Sequence, residues 1–124
     1  MPRSIVCDAG GILAAVGALQ GDVPTDAEFL ALDWSALTTG RFLAARHEGD
    51  TELIELEISL ALTVVSEWFP VRTIVAQTLN RADLDALDAL DSWSALTLAE
   101  QLALPLFTAS DELTSTQIEI LRPW

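Results

Sequence analysis

The sequence predicts an α/β fold, a three-layer α/β/α sandwich built on a mainly parallel central sheet. Two observations predict it. Short apolar runs of strand length alternate with longer amphipathic stretches of helical period, and the turns between them are short. Parallel strands need crossover connections, and helices in those crossovers cover both faces of the sheet. With 124 residues the chain fits a single domain, residues 1–124. A chain of this size buries roughly two thirds of the surface that its unfolded form exposes.

The first strand reads from Ser4 to Cys7 and ends at Asp8. Ala9, Gly10 and Gly11 open it into a helix over Ile12 to Leu19. Asp8 therefore lies at a strand's carboxyl end, where ligands gather in open α/β sheets, and it can equally cap the helix that follows. Gly21 to Pro24 is a turn. Thr25 and Glu28 have the form of a capping box, which predicts a helix from Asp26, with a short strand as the alternative, running toward Asp33. A helix follows from Trp34 to Glu48 and is ended by Gly49. His47, the lone histidine, reads as a surface residue near that helix's end rather than a catalyst.

From Thr51 to Trp68 alternation and helical spacing compete. Eighteen residues without a turn signal favour a helix, with Glu52, Glu55, Ser59, Thr63 and Ser66 as its solvated stripe. Its broad apolar remainder suits a core or a subunit contact. Pro70 stops it, and Val71 to Val75 reads as a strand. A mostly helical segment starts near Asn80, with Leu84, Leu87 and Leu90 in a stripe. Asp83, Asp85, Asp88 and Asp91 surround that stripe as an acidic, solvated face. The spacing lacks the glycine turn and terminal glutamate of a calcium loop. The last elements are a helix from Asp91 to about Leu102, a strand Leu106 to Thr108, a loop Ala109 to Glu112 and a strand Ile118 to Leu121.

Composition narrows the partners. Nineteen acidic residues stand against six basic ones, all arginine, for a net charge of -13. Such a field repels phosphate backbones and favours cations or a protein partner with a basic segment. Hydrophobic residues make up 51% of the chain, more apolar surface than a small monomer easily hides, which favours a homodimer. Cys7 is the only cysteine, so neither a disulfide framework nor a thiolate metal site is expected, and a reduced, cytoplasmic setting follows. No signal peptide and no membrane span is expected. The sequence holds no glycine-rich phosphate loop. Trp34, Trp68 and Trp93 read as core or interface anchors.

Three stretches carry a resemblance. SALTLAEQLALPLFTAS, residues 94–110, holds a helix with an Ala-Glu ending, then an apolar strand closed by Thr-Ala. IVCDAGGILAAV, residues 5–16, holds a strand, an acid and a helix, and Phe69-Pro70-Val71-Arg72 lies between them. In these the chain resembles the PIN domains, small α/β nucleases that include the VapC-type toxins of bacterial toxin-antitoxin pairs. The resemblance spans nearly the whole chain and is weakest from Ala31 to Asp50.

The resemblance implies a PIN-like fold and a site at the strands' carboxyl ends. There the family gathers about four acids around magnesium or manganese ions, which activate a water and neutralise charge on the scissile phosphate. Asp8 matches the first acid. The second position falls on Arg41, with Gly40 one residue earlier. The third, counted back from Glu100, falls on Ser92, and the fourth, after Thr108-Ala109, falls on Ser110. The separation of Ser92 and Ser110 is the one that the family keeps between its third and fourth acids. Asp91 and Asp111 lie one residue outside these places. A one-residue step turns a helical side chain by about 100°, so Asp91 is expected to point away from the site.

One retained acid implies a catalytically degraded PIN-like domain, a dimeric binding or assembly module that needs no cofactor. Its acidic surface would meet an antitoxin-like partner with a basic segment. The alternative implied by the family is a magnesium- or manganese-dependent endoribonuclease acting on RNA. It would use Asp8, Asp91 and Asp111, with Asp88 or Asp33, in a rearranged site. A small-molecule pocket lined by tryptophans is a third, weaker reading.

Overall fold

Side chains of successive strand residues point to opposite faces, and here both faces are apolar. Ile5 and Cys7 join Phe29, Ala31 and Phe107 in one core, while Val6 joins Leu30, Leu32 and Leu106 in a second. A sheet apolar on both faces must be covered on both, which makes three layers. The computed structural model describes residues 2–81 and 89–124.

Five parallel strands form the sheet: β1 (Arg3–Cys7), β2 (Ala27–Leu32), β3 (Val65–Phe69), β4 (Leu106–Phe107) and β5 (Ile120–Leu121). Their order is β3-β2-β1-β4-β5. Helices α1 (Ala9–Ala15), α2 (Ser35–Arg46) and α3 (Thr51–Thr63) supply Ile12, Leu13, Leu43 and Ala61 to the first core. On the other face α5 (Leu90–Leu102) supplies Ala95, Leu96, Leu98 and Ala99. Helix α4 (Val75–Arg81) packs against α5. The α/β sandwich expected from the sequence is therefore the fold. None of the described helices is long and apolar enough to cross a membrane.

Chain order reverses beside β1, which lies between β2 and β4. Open α/β sheets have a crevice at such a switch point, outside the carboxyl ends of the strands. Asp8 follows β1 and Thr108 follows β4, so both border it. Helix α1 starts there at close range. A methyl group on Gly11 would lie 2.2 Å from the Phe107 carbonyl oxygen, so only glycine lets α1 meet β4 this closely.

Several local expectations are corrected. The helix expected from Asp26 is strand β2, and Asp26 itself takes a positive φ of 51°. Phe29 to Leu32 are buried between the two cores, and that burial outweighs the capping-box signal. The long helix ends at Thr63, and Val65–Phe69 forms β3, so Pro70 ends a strand rather than a helix. The strand expected over Val71 to Val75 is a 3-10 turn, Val71–Thr73, followed by α4. Asp33 holds that turn by accepting a 3.1 Å hydrogen bond from the Val71 amide. Helix α1 begins at Ala9 rather than Ile12 and ends at Ala15. The acidic stretch of Asp83, Asp85 and Asp88, with Leu84 and Leu87, lies outside the described residues.

Candidate functional site

Two carboxylates lie buried at the switch point. Asp8 is 1% exposed and Asp91 5% exposed. Asp8 caps α1: its Oδ1 accepts from the Gly11 amide at 2.8 Å. Its Oδ2 accepts from the Ser92 hydroxyl at 2.7 Å and the Thr108 hydroxyl at 2.5 Å. Asp91 lies in the first turn of α5. It accepts from the Ala9 amide at 2.8 Å through Oδ2 and from the Ser35 hydroxyl at 2.6 Å through Oδ1. The Trp34 indole also acts to lower the Asp91 pKa.

Three helices thus begin around one acid pair, which suits anions, because helix N-termini carry partial positive charge and unpaired amides. The pair nevertheless resists ionisation. Burial pushes both acids above the usual carboxylate range, and Asp8's charge adds to the effect on Asp91, which is pushed up to about 6. The hydroxyl and amide donors oppose the shift without cancelling it. The groups that lower the pKa are hydroxyls, amides and an indole, and no guanidinium is among them. The Cys7 thiol, buried beside the same pair, is pushed up by burial and by both acids, so it stays protonated at neutral pH.

The expectation that Asp91 points away is corrected. The Asp8–Ala9 turn lies between two directions that differ by about 100° on α5, so neighbouring residues grip it from either side. Ser92 reaches the Asp8 side chain, and Asp91 reaches the Ala9 amide. Ser110 comes near without joining the acid: its amide donates to the Thr108 hydroxyl at 3.0 Å, and its own hydroxyl accepts from the Glu112 amide at 3.3 Å. Arg41 is exposed and lines a surface depression with Trp34, Leu37 and Thr38. Asp111 is exposed in the loop after β4, Asp33 is exposed and bound to Val71, and Asp88 lies outside the described residues. His47 is bonded to Glu57 at 2.6 Å, away from the acid pair.

Sequence reasoning missed two members, Thr108 and Ser35. Thr108 is the polar residue that ends an apolar strand beside Asp8, a place legible once β4 is put next to β1. Ser35 opens α2, and nothing in its local sequence signals a long-range partner.

All four carboxylate oxygens accept hydrogen bonds from protein donors. Among the described residues no group of three or more His, Cys, Asp or Glu side chains could hold a metal ion. A magnesium-type ion takes near-octahedral oxygen ligands from several carboxylates, and here only Asp8 and Asp91 come together, each already accepting hydrogen bonds from protein donors. The donor set around Asp8 therefore does not fit such an ion. What it does chemically is join the starts of α1, α2 and α5 to the end of β4. Ser35→Ala is expected to cost about 2 kcal/mol of stability through the loss of one buried charge-assisted bond. It should also raise the Asp91 pKa further, which carboxyl-selective NMR titration measures.

Comparison with known proteins adds no family assignment: no family model, no curated protein and no solved structure matches this chain.

Proposed function

We propose that this chain is a catalytically degraded PIN-like domain that acts as a dimeric binding or assembly module. One observation carries the reading: at the crevice where this architecture places ligands, the two acids are buried and spent on protein donors. A hydrolytic metal site keeps positions open for water and substrate. Serines at the third and fourth family positions and Arg41 at the second supply no negative charge for a cation. The strongly acidic surface suits a protein partner with a basic, antitoxin-like segment better than it suits RNA.

A second reading, a magnesium- or manganese-dependent endoribonuclease with a rearranged site, has one observation in its favour, the position of Asp91 beside Asp8. It requires at least Asp111 to join them. Calorimetric titration of the whole protein with magnesium and with manganese separates the two. The degraded-domain reading expects no saturable heat up to low millimolar metal. Binding in that range that Asp8→Asn abolishes would sink it in favour of the nuclease.

A further inference from the structure

A cavity of about 150 Å³ lies where the carboxyl ends of α1 and α2 meet α3. Helices α1 and α2 begin at the acid pair and end away from it, so this cavity is separate from the crevice. Val16, Leu43 and Leu60 give it apolar walls, and Arg46 and Glu57 bring one charge of each sign to it. No ion pair joins Arg46 to Glu57. Each is instead anchored through one atom. Arg46 donates through Nη1 to the Ala18 carbonyl at 2.9 Å, and Ala18 also borders the cavity. Glu57 is bonded through Oε2 to Nε2 of His47 at 2.6 Å.

We propose that this cavity binds a free α-amino acid with a short aliphatic side chain. The bond through Nη1 leaves the Nε–Nη2 edge of Arg46, and that edge is spaced to hold both oxygens of a carboxylate. The bond through Oε2 leaves Oε1 of Glu57 to accept from an ammonium group. A guanidinium edge and a carboxylate oxygen that share a cavity without pairing match a ligand that carries both opposite charges itself. A ligand with only one of them meets a like charge: a simple anion faces Glu57, and a simple amine faces Arg46. A zwitterion has no net charge, so the chain's net charge of -13 does not repel it. Volume sets the side chain. An apolar cavity of this size holds a benzene ring, so with the charged head at the rim beside exposed Arg46, about three or four aliphatic carbons fit against Val16, Leu43 and Leu60. This site and the degraded-domain reading stand independently of each other.

The test is calorimetric titration of the full chain with L-valine and with L-leucine. Saturable binding is expected with a Kd on the order of 1 mM or below, because so small a ligand makes few contacts. Isovalerate lacks the ammonium group and isobutylamine lacks the carboxylate. Each should bind the unaltered protein at least about tenfold more weakly than the amino acids do. Arg46→Gln and Glu57→Gln should each weaken L-valine by at least about the same factor. Glu57→Gln should also tighten isovalerate, since it removes the like charge that this anion meets. The urea midpoint of each variant shows whether it has kept its fold, and the comparison of ligands on the unaltered protein needs no variant. No saturable heat with either amino acid up to about 10 mM overturns the site, and so does equal affinity for L-valine, isovalerate and isobutylamine. Undiminished L-valine binding by both folded variants overturns it as well.

Discussion

Asp8→Ala is expected to lower the unfolding free energy by about 3 kcal/mol, because each buried donor left without an acceptor costs about 1–3 kcal/mol. Three donors lose their partner at once: the Gly11 amide and the hydroxyls of Ser92 and Thr108. Relief of the repulsion between the two acids offsets part of the sum. Asp8→Asn is the informative control. Its carbonyl can accept from Gly11, and its amide can donate to hydroxyls that rotate to accept, so its cost should stay under about 1 kcal/mol. Urea unfolding at neutral pH measures both. Equal losses for alanine and asparagine would mean that the negative charge, rather than the hydrogen-bond shell, holds the junction.

Stability is expected to rise as pH falls from 7.5 to 4.5, by about 2 kcal/mol from Asp91 alone. The sign follows from the direction of the shift. The folded pKa of Asp91 is about 6 against an ordinary value of 3.8. Between those values the folded state holds a proton that the unfolded chain has released, so stability falls as pH rises through that window. Asp8, shifted in the same direction, adds to the effect, and lowering the net negative charge acts with it. Asp91→Asn should flatten the profile and raise stability at pH 7.5. A parent protein whose urea midpoint falls steadily between pH 7.5 and 4.5 would contradict this account.

The layered architecture was legible because it depends on short-range pattern. Ile5, Val6 and Cys7 show an apolar run with no polar alternation, the mark of a strand covered on both faces. The α5–β4 passage was legible to within a residue or two, from Pro105 and the flanking apolar runs. β2 and β3 were not. Thr25 and Glu28 make a sound local case for a helix start, and Val65–Phe69 continues a helical period without a break. Only pairing with β1 makes β2 a strand, and only pairing with β2 does the same for β3. Local propensity is a weak prior against such burial.

By itself the sequence determined the sandwich, the acid at the end of β1 and the serines in α5 and after β4. Those are matters of composition, order and spacing. The tertiary structure alone decided what the acids do. Asp91 reaches Ala9 because the start of α5 packs against α1, a contact between residues far apart in the chain that no periodicity encodes. Thr108 and Ser35 complete the donor shell from positions 100 and 56 residues from the acids they serve. Hydrogen bonding is decided within about 3 Å, and a distance that short between residues so far apart in sequence is set by the packing of the whole domain.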